Sequence, residues 1–343
     1  MDLAAIRTQI TKLDCANQHG EALKAAGKAV NTAQNSHGEQ DPVFAAALVL
    51  LGDVYHMMNN LDKAKDVYAW ALSLNTHPNR GQVLNKLTAV YLDLGDPQQV
   101  EKHVTDAMGV SLDEAEQIWL WDNQGRFALM QGRREDAGTY LQQALTQRQQ
   151  TLDAKHPDLA LSLRHLAQWH QYCGTYQEAE PLYMQAFRLR ISAYAKKHPL
   201  VAQSLADLGQ MYHILAQYDE SESLYEQARA TVADGQGRDT LRYASILDSL
   251  AALYQDLSRY PEAEPLYREA MAIREVHLGN KHPDFAASLD RLAHLQHSQG
   301  DDNNAKGTQQ WALDIKRQAL GNKHLDVADS LDNLGRIWQG LAE

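Results

Sequence analysis

Residues 240–283 read TLRYASILDSLAALYQDLSRYPEAEPLYREAMAIREVHLGNKHP. Two apolar stripes run through this stretch. Leu247, Leu250, Ala251 and Tyr254 follow steps of 3, 1 and 3, and Ala263, Tyr267 and Ala270 follow steps of 4 and 3. Each set lies on one face of a helix. The stretch is therefore two amphipathic helices in succession, neither able to bury its stripe alone.

The same pattern recurs on both sides. His156-Pro157, His198-Pro199 and His282-Pro283 mark one point of the unit, and Thr240-Leu241 and His324-Leu325 hold the same register, so that successive starts lie 42 residues apart. Glu114 continues that step backwards, and His77-Pro78 and Asp41-Pro42 open two shorter units. Self-similarity at this period is the signature of a stacked repeat, whose core grows by adding neighbours. The spacing predicts an all-α fold, an α-solenoid of antiparallel helix hairpins.

Small residues recur where the helices must approach. Gly52, Gly125, Ala167, Gly209, Ala251, Ala293 and Gly335 share one position of the first helix, and Ala22, Ala64, Ala137, Ala179, Ala263 and Ala305 share one of the second. In His-Pro-Asp, Pro suits the first helical position and Asp the first turn. Gly132, Gly174 and Gly300 fill the turn between paired helices, with Ala216 and Ser258 at the same place in other units.

These residues resemble the tetratricopeptide repeat (TPR), and the 42-residue form is similar to the kinesin light chain class. Gly174-Thr-Tyr-Gln-Glu-Ala-Glu-Pro-Leu-Tyr183, its near copy Tyr260-Pro-Glu-Ala-Glu-Pro-Leu-Tyr267, and Leu278-Gly-Asn-Lys-His-Pro283 carry the likeness, which runs over residues 41–343. The resemblance implies a right-handed superhelix of seven TPR units over 41–323, with starts at 41, 77, 114, 156, 198, 240 and 282. Residues 1–40 read as a degenerate N-terminal hairpin, with stripes at Ile6, Ile10, Leu13 and at Ala22, Ala26, Ala29, and residues 324–343 as a C-terminal capping helix. The kinesin light chain's N-terminal coiled coil has no counterpart, because no sustained heptad segment precedes the repeats.

Composition narrows the partners. Lys and Arg number 32 against 44 Asp and Glu, a net charge of −12 at pH 7. Duplex nucleic acid and anionic membranes both call for a basic face, so neither is the expected partner. No apolar run reaches the length of a membrane span, and a cytoplasmic location is expected. Cys15 and Cys173 form no CxxC pair and give no zinc or disulfide framework. Phosphate-loop, dinucleotide, zincin and nucleophile-elbow motifs are missing, and the reading is of a protein that is not an enzyme and takes no cofactor.

The histidines need individual weighing. His156, His198, His282 and His324 sit at unit boundaries and read as helix-start residues. His294 and His297 lie one turn apart, but spacing supplies no third ligand. His170 falls on the buried stripe, which argues for packing rather than for activating Cys173.

In the family, first helices of successive units line a concave groove that binds protein or peptide. That implication places Asn85, Trp119, Asp122, Arg126, Arg164, Gln168, Gln210, His213, Asp248, Asp290, His294 and Arg336 on the groove. Asp248, Asp290 and Asp332 make a row of carboxylates suited to a basic peptide, while Asp122–Arg126 and Asp332–Arg336, each one turn apart, are also spaced to pair with each other. The lysine-and-asparagine clamp for a C-terminal carboxylate is not visible. The function expected is a protein- or peptide-binding scaffold or adaptor. The alternatives are a regulatory sensor of a signalling peptide or small molecule and a structural self-assembly unit, with oligomeric state left open.

Overall fold

A computed structural model describes residues 2–74, 79–322 and 324–341. All its regular structure is α-helix: α1 Leu3–Cys15, α2 His19–His37, α3 Pro42–Met57, α4 Leu61–Ser73, α5 Arg80–Leu94, α6 Pro97–Met108, α7 Glu114–Met130, α8 Arg134–Thr151, α9 Asp158–Cys173, α10 Tyr176–Ala193, α11 Pro199–Ile214, α12 Tyr218–Gly235, α13 Leu241–Asp256, α14 Tyr260–Leu278, α15 Pro283–Ser298, α16 Asp302–Leu320 and α17 Leu325–Gly340. Among the described residues there is no strand. The His77-Pro78 unit start lies outside the described residues. None of the described helices is long and apolar enough to cross a membrane.

Helix starts follow the chemistry of the boundary dipeptides. At Asp41-Pro42 the carboxylate accepts from Val43 N at 2.8 Å. His156, His198, His282 and His324 do the same with a ring nitrogen. Each Nδ1 accepts a backbone N–H two residues on, at 3.2, 3.1, 3.1 and 3.2 Å. At α15 and α17 the histidine is itself the N-cap residue, and at all four starts it supplies an acceptor for an N–H that an exposed helix N-terminus would leave unpaired. An accepting Nδ1 also fixes the tautomer, leaving the proton on Nε2.

The chain divides into two compact units, Met1–Ser204 and Leu205–Glu343. In each, consecutive helices pack as antiparallel neighbours, and the small residues sit where they touch. A Cβ on Gly52 would overlap the Tyr68 ring, and one on Gly209 would lie 3.0 Å from Tyr225. Ala167, Ala251 and Ala293 are fully buried at the equivalent place. The turns need a left-handed residue, and Ala216 and Ser258 supply it at φ 57° and 58° where other units use glycine.

The first unit curves until its ends meet. The N-terminal hairpin tip lies against the loop before α11, where Ala195 N donates to Cys15 O at 2.9 Å and Asn17 Nδ2 to Lys197 O at 3.2 Å. Beside them Asp14 Oδ1 receives His19 Nε2 at 2.9 Å and His198 Nε2 at 3.4 Å. Tyr194 stacks on His198 with ring centroids 4.3 Å apart.

Candidate functional site

The first helices present a wall in each unit, and its side chains separate into two layers. The deeper layer is a repeating ionic strut. Asp122 on α7 pairs with Arg148, 26 residues on in α8, and both reach Ser162 of α9. Asp248 pairs with Arg274, which also donates to Ser288 at 2.6 Å. Asp290 pairs with Lys316, which donates to Ser330 Oγ at 3.0 Å. Each strut ties both helices of one hairpin to the first helix of the next. In the unit starting at 198 the same two positions hold Ala206 and Val232, so cation and anion are lost together.

This placement corrects three of the expected groove residues. Asp122 is 1% exposed and Asp248 5%, each enclosed by its cation, and Asp290 is half-buried on Lys316. They are not a row of carboxylates open to a basic peptide. Asp122 pairs with Arg148 and His165 rather than with Arg126. Burial pushes the Asp122 carboxyl up, but Arg148 and then His165 more than reverse it. Burial in turn carries His165 down to about 4, against the pull of Asp122. Asn85 is also withdrawn. It is buried, its side-chain amide donating to Glu116 O at 2.8 Å and its backbone carbonyl accepting from the Asn123 side chain at 2.9 Å.

The outer layer of the first unit carries the remaining candidates. Arg126 binds Asp93, which also takes His56 Nε2 at 3.0 Å. Trp119 lies beneath the Arg148 guanidinium at 4.8 Å and keeps 37% of its surface exposed. Arg164 and Gln168 are half-buried on α9. Lys86 joins Asp53 across α5 and α3, and Tyr68 donates to the same carboxylate at 2.6 Å. Sequence reasoning passed over Asp93 and Lys86, since each bridge spans more than thirty residues.

In the second unit Gln210 is exposed on α11 and His213 Nε2 meets Asp256 at 2.8 Å. His294 Nδ1 is engaged by Gln255, whose amide also donates to Ser298 at 3.0 Å. His297 Nδ1 is engaged by Asp302. Burial, then the neighbouring His297, lowers the His294 pKa. The two rings face a cleft of about 150 Å³ whose other sides are Gln309, Asn333, Arg336 and Ile337. Arg336 is exposed and pairs with Asp332 at 2.8 Å, as its one-turn spacing predicts.

Among the described residues one group has the make-up of a metal seat: Asp14, His19 and His198, all buried, with ligand atoms within 4.8 Å of one another. The helix cap decides against it. A metal-bound histidine donates its second ring N–H, whereas His198 accepts Leu200 N–H at Nδ1. Nε2 therefore carries the proton and is a donor to Asp14, and the group is a hydrogen-bonded clasp. His170 spends Nδ1 on Thr175 at 2.8 Å, so it is oriented by that hydroxyl rather than committed to Cys173.

Comparison with known proteins adds the following. The tetratricopeptide repeat model matches residues 15–76, 116–172, 161–233 and 242–318. A Rap protein complexed with competence and sporulation factor is similar over 99% of each chain, with TM-score 0.60 and 14% identity. The nearly identical TPR-like repeats of a kinesin light chain from Podosopora anserina give TM-score 0.50 and 23% identity over 61% of this chain and 98% of theirs. A STAND signal-transduction ATPase with a tetratricopeptide repeat sensor, from Pyrococcus horikoshii, gives TM-score 0.50 and 15% identity over 88% of this chain and 45% of its own. At these identities the likeness is one of fold. Comparison with curated proteins gives no match.

Proposed function

The chain belongs to the tetratricopeptide repeat family, and from that premise we propose that it is a non-enzymatic scaffold that holds a peptide segment of a protein partner on the first-helix wall of its second unit. The observation that supports this is the division of the wall into two layers. The struts behind Asp248 and Asp290 spend their charge internally and hold the helices in place. In front of them His294 and Arg336 border a cleft, and Gln210 and His213 are left at or near the surface of α11. A rigid support under an adaptable polar face is what peptide recognition requires, since little ordering is then needed on binding.

Arg336 gives the cleft an exposed cation, paired with an exposed Asp332, a pairing worth little in water. A carboxylate on the incoming peptide is its natural replacement, with His294 and His297 beside it in the same cleft. A sensor of a signalling peptide is a second reading of the same cleft. It takes support from the Rap protein, whose full-length likeness in fold accompanies a bound competence and sporulation factor.

Panning a displayed random-peptide library on the purified chain tests the scaffold reading. Enriched peptides are expected to carry an acidic residue and to lose about tenfold or more in affinity, roughly 1.4 kcal/mol, when Arg336 and His294 are changed to Ala together. Peptides whose affinity ignores that double change while the helix content is intact place recognition elsewhere.

A further inference from the structure

The place that α16 gives to Gln309 is a core position in other hairpins. Tyr183, Tyr225 and Tyr267 hold it at steps of 42 residues, and Tyr68 and Leu141 hold it in the units starting at 41 and 114. On α10 and α14 the tyrosine hydroxyl reaches the first helix, Tyr183 donating to Gln171 Oε1 at 2.8 Å and Tyr267 to Gln255 Oε1 at 3.1 Å. His297 stands at that register on α15. A glutamine fills less space than the phenol, and Gln309 and His297 both line the cleft of about 150 Å³, together with His294, Asn333, Arg336 and Ile337.

Hydrogen bonding fixes what each wall can offer. Gln309 is 1% exposed, and its Nε2 donates to Asp290 Oδ1 at 2.7 Å and to Ser330 O at 3.3 Å. The amide is thereby oriented, and its Oε1 is a buried acceptor that meets no donor among the described residues. His297 Nδ1 faces the Asp302 carboxylate and must carry the proton, so Nε2 of the neutral ring accepts. His294 has the opposite tautomer. Ser298 Oγ donates to His294 O at 2.9 Å and accepts from Gln255 Nε2, which sets that same amide nitrogen against His294 Nδ1. The ring accepts at Nδ1 and donates at Nε2.

The cleft thus offers two acceptors, Gln309 Oε1 and His297 Nε2, and donors on His294 and Arg336. An ammonium or guanidinium brings donors alone and meets the like charge of Arg336. A carboxylate brings acceptors alone and would set its lone pairs against the buried Gln309 oxygen, a mismatch that is costly away from water. A primary carboxamide brings two N–H and one C=O, which matches. The volume suits one short side chain rather than a larger ligand.

We propose that this cleft is the seat of a primary carboxamide, the side chain of an Asn or Gln residue in the bound peptide. Its NH2 donates to Gln309 Oε1 and His297 Nε2, and its oxygen accepts from His294. Gln309 Oε1 is shielded from water, so a lining side chain must move to admit the amide. Arg336, 65% exposed and paired with an equally exposed Asp332, loses little by swinging out to the peptide's carboxylate. The seat presupposes the peptide reading above and names the residue that enters beside the acidic one.

Three capped dipeptides are the probes: acetyl-Gln-Glu-methylamide, acetyl-Glu-Glu-methylamide, and a methyl-ketone form of the first in which CH3 replaces the side-chain NH2. Saturation-transfer NMR with the full chain at about pH 8, where histidines are ordinarily neutral, follows each probe to about 20 mM, since so small a ligand has few contacts to offset its lost freedom. The Gln-Glu probe is expected to bind about tenfold or more tightly than either relative, as a site built to hydrogen-bond one group rejects its isosteres. Gln309→Met removes the acceptor and should abolish that preference, with far-UV circular dichroism unchanged. The ketone comparison needs no variant and holds even where Gln309→Met loosens the fold. Equal binding of the three probes, or no saturation by any, overturns the carboxamide seat while the scaffold reading still rests on its panned peptides. Gln-Glu binding that survives the double change of Arg336 and His294 to Ala places recognition outside this cleft and overturns both.

Discussion

Arg274 is 7% exposed and stands between Asp248 and Ser288. Removing this cation leaves the buried carboxylate with only Arg291, at 3.4 Å, so Arg274→Met is expected to cost up to about 3–5 kcal/mol in urea denaturation. The combined Asp248→Ala and Arg274→Val change copies Ala206 and Val232, which the unit at 198 already uses. It should recover most of that loss, and a double variant no more stable than Arg274→Met shows that the strut is not a self-contained pair. His165 makes a second case. Its folded pKa is lowered to about 4 from 6.5, so below pH 6.5 the unfolded chain takes a proton that the folded one refuses. Stability then declines as pH falls from 6.5 to 4, by up to about 3 kcal/mol from this group. His165→Gln is expected to flatten that part of the profile, as followed by urea midpoints at successive pH values. The register of these aspartates was legible in the sequence, but their partners were not. A one-turn search finds Arg126 for Asp122, while the true cation lies 26 residues away on the second helix. Both charges are lost together at Ala206 and Val232, but the unit at 156 keeps the cation, Arg190, where the first helix holds Arg164, so the pairing is not read from the register alone.

At the scale of helices, one repeat position gives opposite outcomes in different hairpins. Gly52→Ala pushes a methyl group into the Tyr68 ring, and overpacking of this kind costs about 1–3 kcal/mol. Gly335→Ala meets open space, and alanine's better helix propensity should stabilise α17 by up to about 1 kcal/mol. Thermal midpoints of the two variants should move in opposite directions, and a shift of the same sign in both removes the packing explanation. Ala263, fully buried between α13 and α14, belongs with Gly52, so Ala263→Leu is expected to cost about 1–3 kcal/mol as well. These close approaches were readable because small residues recur at a fixed step. That the same step leaves Gly335 in open space was not readable. Which side of α17 rests on α16 depends on Val327, Ser330 and Ile337 being buried, and that is a fact of packing.

At the scale of the molecule, a contact of long range closes the first unit, where residues 184 apart in sequence meet at Asp14 and His198. No local pattern announces it, since hydrophobic period and cap chemistry act over a few turns. Burial would raise the Asp14 pKa, but hydrogen bonds from His19 and His198 bring it to about 2 from 3.8. A depressed carboxylate contributes stability above its unfolded value and loses it as pH falls toward the folded one. The clasp should thus weaken between pH 4 and 2, by about 2–3 kcal/mol, and Asp14→Asn should lack that acid-sensitive component. At neutral pH the clasp can be opened without disturbing the charge on Asp14. His198→Asn keeps a side-chain acceptor for the α11 cap but is too short to reach Asp14. The buried hydrogen bond lost is worth roughly 1–1.5 kcal/mol, which raises the open population of the N-terminal hairpin about tenfold. Cys15 sits at that hairpin's tip, its thiol pushed up by burial and by Asp14, and Cys173 is the only other cysteine. Thiol labelling followed by peptide mapping should show Cys15 modified about tenfold faster in His198→Asn, with Cys173 unchanged as an internal reference. Equal acceleration at both cysteines means general loosening, and no acceleration at Cys15 means that the hydrogen bonds from the Ala195 backbone N–H and the Asn17 side-chain amide hold the hairpin without the clasp.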